Sequence, residues 1–157
     1  KMKKLLLLLL CVPLIGFGQE RYHVSETYFA GKSNTALLKS SNKPVNGIVY
    51  CECSDTKDYK EKFEIHYKDG VWHGKRKIWT CYEEDKVTIA KYPILWKDFL
   101  YKNEKKDGTQ KEWEFNGDLY ISDYKDGNRI FKKKMNKEGK VLYEKCWDEE
   151  GNKIDCE

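Results

Sequence analysis

Two glutamates on one predicted strand, Glu112 and Glu114, are the residues of this chain that come nearest to a catalytic pair. They alternate with Trp113 and Phe115, so on a strand both carboxylates project from the same face. Paired carboxylates of this kind could supply the acid and the base of a glycoside hydrolase. The same alternation is typical of the solvent-exposed face of a half-buried strand, and this interpretation is the stronger of the two.

The three histidines add no support for catalysis. His23, His66 and His73 accompany no serine or cysteine nucleophile motif, and neither an HExxH nor a G-x-S-x-G pattern is present in the sequence. No phosphate-binding glycine loop is present either. We therefore expect that this protein is not an enzyme and that it has no catalytic, cofactor-binding or metal-binding residues.

The cysteines could bind a metal or form disulfides. Cys51, Cys53, Cys81 and His66 together could hold a metal ion, but the cysteine spacing is not the C-x-x-C of most zinc sites. A bridge from either Cys51 or Cys53 to Cys81 is the favoured alternative, and it leaves one odd thiol. That thiol could link two molecules or remain as a buried cysteine.

The last two cysteines predict a disulfide more directly. Cys146 and Cys156 flank the turn-forming residues Glu150, Gly151 and Asn152 symmetrically. In a hairpin with a short loop, the two cysteines would face each other across two strands at bridging distance. We predict a Cys146–Cys156 disulfide.

The first eighteen residues, Lys1 to Gly18, have the pattern of a secretory signal peptide. Lysines precede an apolar run from Leu5 to Ile15, and small residues follow at Gly16 and Gly18. The run is too short for a permanent membrane anchor. We expect cleavage before Gln19, a periplasmic or extracellular location, and no transmembrane segment in the mature chain. Such export would also permit disulfides.

The charge of the mature chain argues against nucleic-acid binding. The full chain has 30 Lys and Arg against 26 Asp and Glu. The predicted signal peptide holds three of the lysines and no acid, which leaves 27 basic and 26 acidic residues and a net charge of +1. Binding to a nucleic-acid backbone requires a surface of one sign, and here acids and bases alternate.

A segment of thirteen residues occurs twice. Tyr67 to Trp79 reads YKDGVWHGKRKIW and Tyr101 to Trp113 reads YKNEKKDGTQKEW, with five of thirteen positions identical. A looser third copy begins at Tyr124 with YKDG. A repeat of this kind indicates structural units that bury their apolar faces against their neighbours. The residues that define it are Tyr67, Gly70, Gly74, Trp79, Tyr101, Gly108, Trp113, Tyr124 and Gly127.

Regularly spaced glycines predict a sheet of hairpins. They stand at positions 108, 117, 127, 139 and 151, each directly after Asp, Asn or Glu, where tight turns need a positive φ. The 5 Trp, 11 Tyr and 6 Phe favour strands. We predict an all-β fold in which antiparallel hairpins form an elongated meander or a single-sheet solenoid over residues 45–157, after a lead-in segment at residues 19–44.

The repeated segment resembles the repeat of MORN-type proteins, in the bacterial variant found in YwqK-family antitoxin proteins. The resemblance covers about residues 45–157. It rests on an aromatic residue, Asn/Asp-Gly, His-Gly and then Lys-x-Trp, and it is weaker at Glu104 and Asp107, where Gly and His would be expected. The matching positions are Tyr67, Asp69, Gly70, His73, Gly74, Lys77 and Trp79. The resemblance implies hairpin repeats that act in protein or membrane-surface contacts without catalysis.

Two functions are compatible with these patterns. The first is a non-enzymatic protein-interaction module, such as a scaffold or an antitoxin-like immunity protein. The second is a glycan-binding or cell-wall-binding module that uses its repeated aromatic residues. We expect Trp79 and Trp113, which share one repeat position, to lie in the core. Trp72 lies in a predicted turn and is the better candidate for an exposed partner contact. Rings along one open groove would favour glycan binding, whereas buried rings would favour protein binding.

Overall fold

The computed structural model describes residues 19–31, 35–53, 61–82 and 89–156, without the side chains of residues 89–92. The predicted signal peptide lies outside these residues. Within them the chain is all-β, as predicted, and its one helical element is a short 3-10 helix, Val24–Glu26. No helix in the described part of the chain is both long and apolar enough to cross a bilayer.

Thirteen strands make up the described fold. In chain order they are β1 (Arg21–His23), β2 (Thr27–Ala30), β3 (Thr35–Leu38), β4 (Gly47–Cys51), β5 (Glu61–Lys68), β6 (Val71–Tyr82), β7 (Ile89–Lys102), β8 (Lys105–Lys106), β9 (Gly108–Trp113), β10 (Leu119–Lys125), β11 (Asn128–Met135), β12 (Val141–Trp147) and β13 (Lys153–Ile154).

One large mixed sheet contains eleven of these strands. Its order is β1-β4-β5-β6-β7-β9-β10-β11-β12-β13, with β8 paired to β7 outside this path. Strand β1 pairs with β4 in parallel, whereas β2 and β3 form a separate antiparallel sheet. The predicted simple meander is therefore wrong in part. A parallel partner needs a crossover connection, and the β2–β3 hairpin lies in the connection between β1 and β4.

Three two-residue turns have the same backbone geometry. Each joins two antiparallel strands, and both of its central residues have a positive φ, as type I′ hairpin turns require. The third of them, at Asp126 and Gly127, joins β10 to β11. The turns and their φ values are Asp69 (52°) with Gly70 (79°), Asn103 (48°) with Glu104 (66°), and Asp126 (50°) with Gly127 (93°).

Each of these turns also bonds to a segment that precedes it in the chain. The backbone N–H of Gly70 donates to the carbonyl oxygen of Val45 at 2.9 Å, and that of Glu104 donates to Trp72 at 2.9 Å. The N–H of Gly127 donates to Lys106 at 2.8 Å in the same way. The second residue of each turn therefore ties its hairpin to earlier chain.

Glycine in place of Glu104 is expected to stabilise the protein by about 1 kcal/mol, because a left-handed backbone costs an L-residue ~1–2 kcal/mol and glycine pays only part of this in unfolded-chain entropy. Glu104 is the one residue with a side chain at the second position of the three turns. Chemical denaturation of the native chain and of Glu104→Gly measures the difference. As a control, Glu138→Gly changes an exposed turn residue without a positive φ; equal destabilisation by both changes would contradict the expectation.

The buried core lies at the N-terminal end of the large sheet. Ala36 of β3 and Val45 pack with Val49 of β4 and with Ile65 and Tyr67 of β5. The described part of the lead-in segment therefore contributes β1 to the large sheet and β3 to the core. Because the β2–β3 hairpin covers β4 and β5, one face of the sheet is buried there.

Candidate functional site

A groove with a volume of about 700 Å³ lies at the C-terminal half of the sheet. Eight of its seventeen lining residues are aromatic. We call it the aromatic groove, and its aromatic lining residues are Tyr82, Trp96, Phe99, Trp113, Phe115, Tyr120, Tyr124 and Tyr143.

The strand register shows how the groove arises. Opposite residues of neighbouring strands share one face of a sheet, and one cross-strand row runs from β4 to β12. The row is apolar over the first three strands and then becomes charged and aromatic. Its members are Cys51, Phe63, Ile78, Lys97, Glu112, Tyr120, Lys134 and Tyr143. The face that forms the core over β4 and β5 therefore continues as part of the aromatic groove.

Strand β10 supplies the centre of the groove. Tyr120, Ser122 and Tyr124 alternate along it and so project from one face. Tyr143 of β12 lies on the same face two strands away, because both Tyr120 and Tyr143 are opposite Lys134. The rings of this strand are half-buried rather than buried, so part of each ring faces the open groove.

Gln110 forms a fixed polar floor beside these rings. The side chain is only 3% exposed. Its Nε2 donates to the carbonyl oxygens of Leu100 at 2.9 Å and of Gly108 at 3.1 Å, and its Oε1 accepts from the N–H of Leu100 at 3.1 Å. The side chain thus replaces a ladder bond where β7 and β9 separate, and it gives hydrogen-bond partners to three backbone groups.

Two of the three acidic residues that line the groove form ion pairs. Glu112 lies 3.8 Å from Nζ of Lys97. Nζ of Lys134 lies 3.1 Å from a carboxylate oxygen of Glu114 and 2.9 Å from one of Asp118. The hydrogen bond from Lys134 lowers the pKa of the Asp118 carboxyl, and the hydrogen bond to Asp118 is the main cause that raises the pKa of Lys134. The three paired carboxylates are therefore occupied by lysines, which is unlike a catalytic acid.

Asp118→Asn is expected to lower the melting temperature by about 1–3 °C at pH 7. A carboxyl whose pKa is lowered by folding stabilises the protein above its ordinary value near pH ~4, and this contribution is lost as the pH falls through the lowered pKa. The difference between the native chain and the variant should therefore disappear toward pH ~2. Thermal melts across this pH range, with Glu150→Gln as a control for charge alone, check it; a constant difference would contradict it.

Trp72, the predicted exposed contact, lies against the core instead. Its ring is half-buried beside the core residues, and its Nε1–H donates to the hydroxyl of Tyr67 at 3.0 Å. The ring meets Tyr101 edge-on at 5.1 Å between centroids, and the guanidinium of Arg76 lies 4.6 Å from the ring centre. Trp72 belongs to β6 rather than to the turn, and its role as a partner contact stays a prediction.

Trp79 and Trp113, the predicted core residues, are both half-buried. Trp113 borders the aromatic groove, but it follows Glu112 on β9, so its side chain projects from the opposite face. Trp79 follows Ile78 on β6 in the same way and lies under the ammonium of Lys62 at 5.7 Å. The first residues of the same repeated segments, Tyr67 and Tyr101, are buried instead, at 4% and 7% exposure. Of the remaining positions that define the repeat, Gly70, Gly74, Gly108 and Gly127 all have a positive φ, and Tyr124 lines the groove.

Two pairs of cysteines lie at disulfide distance. Cys146 and Cys156 are joined across the last turn, where the sequence predicts a bridge. Cys53 rather than Cys51 bonds to Cys81. Cys51 is a fully buried thiol in the row of core residues. Disulfides are typical of exported proteins.

The other residues considered for chemistry are scattered. Burial lowers the pKa of His66, and Nδ1 of His73 lies 3.1 Å from Oδ1 of Asn103 in a neighbouring turn. Across the part of the chain that the structure describes, no three His, Cys, Asp or Glu side chains come together as a metal site. The absence of enzymatic activity stays a prediction.

Comparisons with protein-family models, with curated proteins and with solved structures each find no match to this chain.

Proposed function

We propose that this protein binds a glycan chain in the aromatic groove. The observation that carries the proposal is the set of half-buried rings along one open face of the sheet, those of Tyr120, Tyr124 and Tyr143. A folded protein normally covers the apolar face of a sheet with a second layer. Here the β2–β3 hairpin covers only the N-terminal end, and the remaining rings are left for a ligand.

The chemistry of the groove suits a sugar. The face of an aromatic ring is negative and attracts the weakly positive C–H bonds on one side of a pyranose. Glu112 and Glu114 on the wall can accept hydrogen bonds from hydroxyls, and Gln110 and Ser122 form a polar floor. A volume near 700 Å³ lies in the range of about 300–1,000 Å³ that is typical of small-ligand sites.

The repeat and the disulfides bear on the architecture and the location of this glycan-binding protein. We take the three type I′ turns and their bonds to earlier chain as the structural form of the repeat, in a hairpin-repeat sheet of the MORN-like kind. The two disulfides support a place outside the cytoplasm. There a wall, capsule or surface polysaccharide would be the available ligand.

Paired tryptophan variants test the proposal. We expect an array of bacterial wall and capsule oligosaccharides to retain the native chain, and Trp96→Ala to weaken binding at least about tenfold, a change worth ~1.4 kcal/mol. Trp96 lines the aromatic groove, and its ring contacts that of Phe115. Trp79→Ala is the matched control, because Trp79 is also half-buried and lies outside the aromatic groove. Circular dichroism verifies the folding of both variants. Equal binding by the two variants, or no binding of the native chain to any glycan, would refute the proposal.

Protein interaction is the second candidate, and the edge at β12 favours it. Strand β13 pairs with β12 only at Cys146 and Trp147, so the outer edge of residues 141–145 is open in the described fold. Leu142 is 50% exposed there, and Val141 and Ile154 are exposed nearby. An open edge with apolar side chains can accept a strand from a partner.

Leu142→Lys tests this second candidate. If the edge binds a protein, this variant should lose a single stoichiometric partner that the native chain retains from an envelope extract. Phe29→Lys changes an equally apolar and exposed residue on the other sheet and should retain that partner. Retention of the partner by Leu142→Lys would exclude the edge as its site.

A further inference from the structure

The charges of the aromatic groove are separated along β10. Glu112 lies opposite Tyr120 at one end of this strand. Lys132 lies opposite Ser122 in the middle, and Arg129 lies opposite Tyr124 at the other end. The groove is therefore acidic at the Tyr120 end and basic at the Tyr124 end, although its three acidic and three basic lining residues cancel in number.

Two of the three acidic residues at the acidic end are paired within the protein. Lys97 pairs with Glu112, and Lys134 pairs with Glu114. The third, Glu61, has no lysine partner among the described residues. This end therefore has no excess of positive charge and suits a neutral sugar unit.

The basic end has no such balance. Within the described part of the chain, Lys106, Arg129 and Lys132 form no ion pair with a carboxylate. They rest on aromatic rings instead: Nζ of Lys106 lies 5.1 Å from the ring centre of Tyr124, and Nζ of Lys132 lies 5.1 Å from that of Tyr120. Arg129 donates to the hydroxyl of Tyr124 at 2.6 Å.

These three cations are fixed in position and lack a counter-charge. Contact with a ring face attracts a cation and restricts its motion, so the head groups are held ready for a ligand. Lys106 and Lys132 are half-buried, and a charge that loses water is normally balanced by an opposite charge. An anionic group of a ligand, bound beside the rings, would supply the counter-charge that these three cations lack.

We infer that the glycan bound by the aromatic groove is acidic, with the carboxylate of a uronic-acid unit paired with Lys106, Arg129 and Lys132. A neutral sugar unit then lies at the Tyr120 end. This inference rests on the proposed glycan-binding function. A single-stranded nucleic acid also combines stacking with negative charge, but its phosphates would continue past Tyr120 toward the glutamates, where the groove offers no excess of positive charge.

A matched pair of ligands tests the inference. The first is a hexasaccharide of alternating glucuronate and N-acetylglucosamine, and the second is the same hexasaccharide with its carboxylates methyl-esterified. Calorimetric titration of the native chain at low salt should show at least tenfold tighter binding of the acid form. The difference should shrink in high salt, because dissolved ions screen the charges.

Two double variants identify the responsible side chains. Lys106→Gln with Lys132→Gln should reduce binding of the acid form to the level of the ester. Lys111→Gln with Lys133→Gln removes the same charge from the opposite face of β9 and β11 and should change neither. Equal binding of acid and ester to the native chain overturns the inference but leaves glycan binding intact. Failure of both ligands and of every neutral glycan overturns both proposals, and tighter binding of oligothymidylate than of the acid form overturns the inference in favour of nucleic acid.

Discussion

Replacing Cys53 and Cys81 together with alanine is expected to lower the free energy of unfolding by about 3–4 kcal/mol in oxidising buffer. This bridge joins residues 28 apart in sequence, and the entropy that a bridge removes from the unfolded chain increases with loop length. It also ties the residues after β4 to β6 across the intervening strand β5. Denaturant unfolding followed by tryptophan fluorescence measures the effect.

The second disulfide supplies the internal comparison. The Cys146–Cys156 bridge joins residues only 10 apart, so replacement of both by alanine should cost less, about 2–3 kcal/mol. In reducing buffer the native chain and both variants should have nearly the same stability. Equal stability of the native chain and the Cys53/Cys81 variant in oxidising buffer would contradict the proposed importance of the longer bridge.

Gly70→Ala is expected to destabilise the protein by about 3 kcal/mol, from ~1–2 kcal/mol of backbone strain and a similar cost of overpacking. Gly70 has a φ of 79°, and an added Cβ would lie 2.4 Å from Cγ2 of Thr35 and 2.9 Å from the carbonyl oxygen of Ala36. The latter is backbone and cannot rotate away. The turn would have to move off β3, which would break the bond from the N–H of Ala36 to the carbonyl of Gly70.

Gly127→Ala is the matched control for this prediction. Gly127 occupies the same turn position with a φ of 93°, but the nearest neighbour of an added Cβ is the Lys105 side chain at 3.6 Å. Only the backbone strain remains, so we expect a cost of about 1 kcal/mol. Chemical denaturation of the two variants should therefore differ by about 2 kcal/mol. Equal costs would show that the β2–β3 hairpin does not hold the first turn in place.

Local features of the sequence predict the turns well. An Asp-Gly pair between alternating residues determines both the turn type and the strand direction within a few residues, as at Asp126 and Gly127. The bridge between Cys146 and Cys156 is predictable for the same reason, because it spans one hairpin. Glu104 adopts the same left-handed backbone as Gly70 and Gly127, yet no local signal marks it, since its conformation follows from the strands on either side and the bond to Trp72.

Local sequence patterns do not predict the long-range features of the fold. Whether Cys51 or Cys53 bonds to Cys81 depends on which of them passes the end of β4, and both lie on the same side of a predicted strand. The parallel pairing of β1 with β4 depends on contacts far apart in the chain, so it has no local pattern.

The candidate site shows the same limit. Trp79 and Trp113 share a repeat position, and both lie on the face opposite the core, because each follows a residue of the core row, Ile78 or Glu112. The core face itself changes along the sheet, since the β2–β3 hairpin covers one end only. The aromatic groove is therefore a product of where the second layer ends, which alternation along a single strand cannot reveal.

The indole N–H resonances of the five tryptophans provide the most direct test of glycan binding in the aromatic groove. Titration of the native chain with a bound oligosaccharide, followed by two-dimensional NMR, reports on each ring separately. We predict that the resonance of Trp96 shifts with saturation, while those of Trp72 and Trp79 stay in place. Shifts confined to Trp72 or Trp79, or no shift at Trp96, would contradict binding in the aromatic groove.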